Sequence, residues 1–193
     1  MSYHFFAMMS RMKYIRRWGL MRNTEEENLS EHCLEVAMLA HALCAIRNER
    51  LGGSLDCDRA AVLGMYHDAT EIITGDLPTP IKYFDENLRS AYAKAEESAQ
   101  KKLVDMLPDY LKGEFASFII PDDEDAELWK IVKAADKLSA LIKCMNECAL
   151  GNRDFEKARL STEKTVDGLG MPEVKIFMEE FMPSFGLTID EQA

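Results

Sequence analysis

Along this chain apolar residues recur three and four positions apart, and they almost never alternate with polar ones. The first spacing gives a helix one apolar face; alternation would mark strands. The pattern therefore predicts an all-α fold, a single helical domain over residues 1–193. A first helix is expected over 5–16 and a loop over 17–27. Asn28-Leu-Ser-Glu31 reads as a capping box, an N-cap acceptor with a glutamate three residues on. It opens a helix over 28–47, apolar at Leu34, Ala37, Met38, Ala42 and Ile46, with Gly52-Gly53 breaking the chain after it. Asp58 is positioned to cap the next helix, which runs to 73. Pro78 and Pro80 stop 74–80 from being helical throughout, because proline lacks the N–H donor and fixes φ. Further helices are expected over 87–106, 111–119, 126–150, 154–167 and 174–181. The acidic run Pro121-Asp-Asp-Glu-Asp125 suits the positive end of the helix it precedes.

The most informative polar residues lie inside these apolar runs. His67-Asp68 falls within AAVLGMYHDATEII, His32 lies upstream and Asp136 downstream, each in its own helical stretch. Two imidazoles and two carboxylates together suit a borderline divalent ion such as Mn²⁺, Fe²⁺, Co²⁺ or Zn²⁺. Such an ion makes a nucleophile from water near neutral pH and grips phosphate oxygens, which points to metal-dependent hydrolysis at phosphorus. Taken singly, His32 or Asp136 reads as a structural polar residue; the ordered set of four carries the inference. Glu71 lies four residues after His67 and three after Asp68, which on a helix gives all three one face. It is either a solvated helix acid or a group that orients a ligand or handles a proton. Asp76, after Gly75, is either a turn cap or a second such carboxylate. Arg17 can grip phosphate with two parallel bonds, and Trp18 is either a core residue or an apolar wall for a sugar or base. His4 and His41 lack comparable support.

Composition narrows the partners. The net charge is −11, with acids spread along the whole chain, which excludes a surface that wraps nucleic acid. An anionic substrate then needs a local positive site. Five cysteines, Cys33, Cys44, Cys57, Cys144 and Cys148, form no CxxC pair and read as free thiols of a reducing cytoplasm. Cys144 and Cys148, one turn apart, are read as helix packing rather than as a metal pair. The first 18 residues mix apolar and basic positions and lack the apolar core of a signal peptide. No run is expected to reach the roughly 18 apolar residues of a membrane span.

The segments HFFAMMSRMKYIRRWGLMRN (4–23), ENLSEHCLEVAMLAHAL (27–43), MYHDATEIITGDLPTPIKYF (65–84), KAADKLSALIKC (133–144) and FMEEFMPSF (177–185) resemble the HD-domain phosphohydrolases. Within them, the chain looks like the bacterial branch of 5'-deoxynucleotidases acting on deoxyribonucleoside monophosphates. The resemblance covers nearly the whole chain and is loose over 86–128 and 152–174. It implies one divalent ion, Co²⁺ or Mn²⁺ before other transition metals, on His32, His67, Asp68 and Asp136. It implies Arg17 and Trp18 as substrate contacts, with Glu71 and Asp76 near the reacting phosphate and Arg17 sharing the catalytic work. The loop Asp76-Leu77-Pro78-Thr79 would help hold the nucleotide, and His32, Asp68 and Asp136 would also face it. A homodimer is implied as well. Two rival readings stay open: another HD activity on nucleoside triphosphates or cyclic nucleotides, and a non-catalytic nucleotide-binding scaffold.

Overall fold

A computed structural model describes residues 2–82 and 84–192, with the side chain of Thr79 outside that description. The described residues form ten α-helices: α1 (Phe5–Met9), α2 (Leu29–Leu51), α3 (Cys57–Tyr66), α4 (Glu71–Thr74), α5 (Thr79–Lys82), α6 (Glu86–Asp105), α7 (Asp109–Ile119), α8 (Ala126–Ala149), α9 (Glu156–Asp167) and α10 (Pro172–Glu180). Short 3₁₀ turns follow α1 and precede α9. The sole extended pairing among them is an isolated antiparallel bridge between Arg16 and Asn28. The all-α expectation holds.

Helices α2 and α8 form the centre. The capping box of α2 is present: Asn28 Oδ1 accepts the Ser30 and Glu31 N–H at 3.0 and 3.2 Å, and Glu31 accepts the Asn28 N–H. Gly52 stops α2 in the left-handed region, φ 71°, where glycine carries no Cβ penalty. The packed face of α2 matches the expected one at Ala37, Ala42 and Ile46 and departs from it at Leu34 and Met38. Val36, Ala37, Leu39, Ala40, Leu43 and Cys44 are buried, while Leu34 and Met38 are exposed. Because α2 is apolar on nearly every face, periodicity could not choose between them. By length and composition α2 could also cross a membrane; here half of its most apolar stretch is buried, with α3, α8 and α10 packed against the helix.

Small residues bring α3 against α2. A Cβ placed on Gly64 would lie 2.8 Å from Ala37 Cα, inside any real contact distance. From α8, Ile131, Val132, Ala134, Ala135, Leu138, Leu141 and Ile142 close the core. A second apolar cluster holds Phe5 of α1 against Ala69, Leu103, Leu107 and Ile119. All five cysteines are free.

Several local expectations change. The expected 5–16 helix is two pieces, α1 and a 3₁₀ turn over Met12–Tyr14. Asp56, not Asp58, caps α3, accepting the Arg59 N–H at 2.8 Å. The expected helix to residue 73 ends at Tyr66. From there the backbone bonds run i to i+3, with Ala69 N–H to Tyr66 O and Glu71 N–H to Asp68 O. That tighter winding bends the chain at His67-Asp68 before α4 begins.

Candidate metal centre

Three elements deliver the four expected ligands to one point. His32 comes from the first turn of α2, His67 and Asp68 from the bend after α3, and Asp136 from the middle of α8. One ligand atom from each lies within 4.8 Å of the other three. His32 Nε2 is 3.3 Å from Asp136 Oδ1 and 3.7 Å from Asp68 Oδ2, and His67 Nε2 is 3.1 Å from Asp68 Oδ2.

The ring orientations suit a cation. The Gly64 carbonyl can only accept, so at 2.8 Å it fixes the proton on His67 Nδ1 and leaves Nε2 facing the carboxylates. His32 Nδ1 meets Ser139 Oγ at 3.0 Å, and that hydroxyl donates to Glu35 at 2.5 Å. The Nε2 atoms of both rings are buried and make no hydrogen bond to the described residues, an arrangement that costs free energy unless a further partner is bound. Charge points the same way. Burial works against a charged Asp68, yet the neighbouring His67 holds the carboxyl at about 2. Asp136 likewise stays below the ordinary range against burial, through His32 and Lys137. Burial opposes a charged His67, but Asp68 lifts it well above the usual imidazole value. Two ionised carboxylates meet two ring nitrogens in this half-enclosed site, and that donor set fits a divalent ion.

The loop over 17–27 lays an arm across this centre. Its base is tied to the start of α2 by Arg17 N–H to Glu27 O and Leu29 N–H to Ile15 O, at 3.0 and 2.9 Å. Arg17 is mostly buried, with its guanidinium 3.5 Å from Asp68 Oδ2 and 3.3 Å from Glu27 Oε1. Burial alone would lower the Arg17 pKa, but Glu27, Asp68, Asp136 and Asp76 together raise it, so its charge is secure. Arg16 points outward to Glu26. Trp18 adopts φ 59°, the only positive φ outside glycine among the described residues. A bulky residue seldom takes that conformation, and it clusters at functional sites. The Trp18 indole donates to Glu27 Oε2 at 2.7 Å and packs on Phe155, centroids 5.3 Å apart.

Glu71 does not share a continuous helix with His67 and Asp68, as the spacing suggested, but heads α4. It still reaches the centre. Burial, then Asp68 and Asp76, raise its carboxyl to about 9 against the pull of Arg17 and Lys82. Burial also raises Asp76, which accepts the Trp18 N–H. Leu77 and Pro78 are half-buried in the loop after it, and Thr79 opens α5. The Tyr92 hydroxyl reaches the Gly75 carbonyl at 3.3 Å, and Lys82 stacks over the Tyr92 ring while bonding Glu96 at 3.1 Å, so α6 props this loop. His41 lies outside the centre, half-exposed beside Asp58.

Sequence reasoning passed over Glu27, Ser139, Glu35 and Lys82. Ser139 carried a signal: it is a polar residue three positions after Asp136 in an apolar helix, and it is fully buried. Glu27 carried none beyond its place next to the capping box.

A helical core with His, His-Asp and Asp converging from three elements defines the HD-domain phosphohydrolase class. The fold is shared with an HD-domain phosphohydrolase of Listeria innocua, TM-score 0.81 at 24% identity over 94% of this chain and 88% of that one. It is shared too with the cyanophage S-2L HD phosphohydrolase DatZ, solved with dA and one catalytic Zn²⁺, TM-score 0.63 at 19% identity over 94% and 96% of the two chains. Within that class the chain belongs to the YfbR-like 5'-deoxynucleotidase family, whose pattern matches residues 4–185. The 5'-deoxynucleotidases YfbR of Salmonella paratyphi B and Salmonella newport are each 51% identical over 97% of this chain and 94% of their own length.

Proposed function

We infer that this protein is a metal-dependent 5'-deoxynucleotidase, a phosphoric monoester hydrolase that converts deoxyribonucleoside 5'-monophosphates to deoxyribonucleosides and phosphate. The observation that carries the reading is the four-ligand centre with Arg17 3.5 Å from one of its carboxylates, in a chain half identical to named 5'-deoxynucleotidases.

His32, His67, Asp68 and Asp136 would hold one divalent ion; the mixed nitrogen and oxygen donors suit Co²⁺ or Mn²⁺. When bound, such an ion acidifies a water and offsets negative charge on phosphate. Arg17 grips the phosphoryl oxygens and stabilises their charge as the P–O5' bond breaks. Glu71 and Asp76 divide the two proton transfers, one taking the proton of the attacking water and the other returning one to the leaving 5'-oxygen. The loop from Asp76 through Leu77, Pro78 and Thr79 closes over the nucleotide. Trp18, held by Glu27 and Phe155, walls the sugar where a 2'-hydroxyl would project. Free thiols and the acidic surface suit a cytoplasmic enzyme. The exposed Leu34 and Met38 of α2 suit a homodimer, which sedimentation would test.

Phosphate release from dAMP and AMP, measured in parallel on metal-stripped protein supplied with Co²⁺, Mn²⁺ or Mg²⁺, tests the reading. Metal-dependent turnover of dAMP with little from AMP is expected. Equal turnover removes the deoxy selectivity. Triphosphate released from a dNTP, or binding with no release, replaces the reading with another HD activity or a scaffold.

A further inference from the structure

We propose that Glu27 is a positioning residue that couples the metal centre to the nucleotide-holding arm, a role that rests on the nucleotidase reading above. One carboxylate touches all three parts of that machinery. Its Oε2 accepts the Trp18 indole N–H at 2.7 Å. Its Oε1 lies 3.3 Å from His32 Nδ1, which it shares with Ser139 Oγ at 3.0 Å, and 3.3 Å from Arg17 Nε. His32 presents its other nitrogen to Asp68 and Asp136, so Glu27 stands directly behind a metal ligand. A carboxylate there fixes the ring and raises its basicity toward a cation.

The side chain is not required to hold the arm in place. The arm's backbone is tied by Arg17 N–H to the Glu27 carbonyl, by Leu29 N–H to Ile15 O, and by Glu147, which accepts the N–H groups of Thr24 and Glu25. What the carboxylate adds is a charge that faces all three side chains at once, whereas Asp68 faces only Arg17 and His32 of the three. Its hydrogen bond holds the Trp18 indole, and its charge lies beside the Arg17 guanidinium, which also faces Asp68. A cation on His32 draws Glu27 toward the ring and so bears on both arm residues. Occupancy of the arm bears on the metal by the same amount, since coupling between sites is reciprocal.

The test reads metal affinity without turnover. Metal-stripped protein is titrated with Co²⁺ against a competing chelator, for the parent chain, Glu27→Gln, Trp18→Phe and the double variant. Glu27→Gln keeps the shape and removes the charge; it is expected to weaken Co²⁺ binding about tenfold or more, the usual cost of losing such a partner. Trp18→Phe removes the indole donor and keeps an aromatic ring, smaller than indole, against Phe155. It is expected to shift the Co²⁺ affinity at least about threefold in the parent and not at all beside Glu27→Gln, the signature of two residues acting through one contact. Co²⁺ affinity unchanged in Glu27→Gln, or an equal Trp18→Phe effect in both backgrounds, overturns the proposal. Should Glu27→Gln fail to fold, Trp18→Phe alone decides, because an unchanged affinity there also overturns it. A parent chain that binds Co²⁺ yet frees no phosphate from dAMP refutes the nucleotidase reading and leaves the coupling measurement intact.

Discussion

Replacing Glu147 by glutamine removes a buried charge on which the arm depends. Glu147, on α8, is 1% exposed. Its carboxylate accepts Thr24 N–H at 2.9 Å, Glu25 N–H at 3.1 Å, Asn152 Nδ2 at 2.7 Å and Lys143 Nζ at 2.5 Å. Burial alone would raise its pKa, but Lys143, Thr24, Asn152 and Glu25 override burial and hold it at about 2, from an ordinary 4.5. At roughly 1.4 kcal/mol per unit, that difference is worth about 3 kcal/mol of folding stability at neutral pH. The loss expected from breaking a buried ion pair on one side, about 3–5 kcal/mol, is consistent with it. Glutamine keeps one acceptor but turns an N–H₂ toward existing donors and strands the Lys143 charge. The sign follows from a depressed folded-state pKa: the contribution is full above the unfolded value and fades as pH falls toward the folded one. By pH 3.5 roughly 1.4 kcal/mol of it is gone. Urea unfolding of both proteins from pH 7 to pH 3.5 checks this. The gap is expected near 3 kcal/mol at pH 7 and to narrow by about 1.4 kcal/mol at pH 3.5. A gap independent of pH, or one under about 0.5 kcal/mol at pH 7, would refute the reasoning.

Glu71→Gln and Asp76→Asn are each expected to lower kcat by about 10²–10⁴-fold, and each removes a different limb of the pH–rate profile; a profile unchanged in shape excludes that carboxylate from proton transfer. Trp18→Ala is expected to raise AMP turnover relative to dAMP, and an unaltered ratio removes Trp18 from the sugar wall. Gly64→Ala drives a methyl to within 2.8 Å of Ala37 Cα; thermal melting is expected to show a loss of about 1–3 kcal/mol as α2 and α3 are forced apart. Saturating Co²⁺ at about 100-fold over its Kd is expected to add about 2.7 kcal/mol to unfolding stability, and His67→Ala to abolish that gain.

Helix content, the capping box at Asn28 and the His32, His67, Asp68, Asp136 set were legible in the sequence, because each rests on local chemistry. A 3.6-residue apolar period announces a helix wherever it occurs. A histidine or aspartate inside such a period needs a partner, whatever the partner is. Arg17 and Trp18 were legible only through their resemblance to known relatives; composition and spacing alone left Trp18 equally a core residue.

The tertiary structure decided what depends on residues far apart in the chain. The break after Tyr66 is invisible to periodicity because apolar residues continue across the bend, with Ala69 buried and Ile72 packed inward. Which face of α2 is buried was undetermined, since an all-round apolar helix is oriented by its neighbours, here by the contact of Gly64 with Ala37. Glu27, Ser139 and Glu147 are ordinary polar letters in the sequence. They gain meaning only where folding strips water from them and leaves each a small set of partners from distant segments. Sequence thus determined which polar side chains stand out as candidates for the centre, through local helix propensity and the cost of burying polar groups. Only the fold decided how they are aimed and held, because orientation is set by long-range packing and by which buried charges meet.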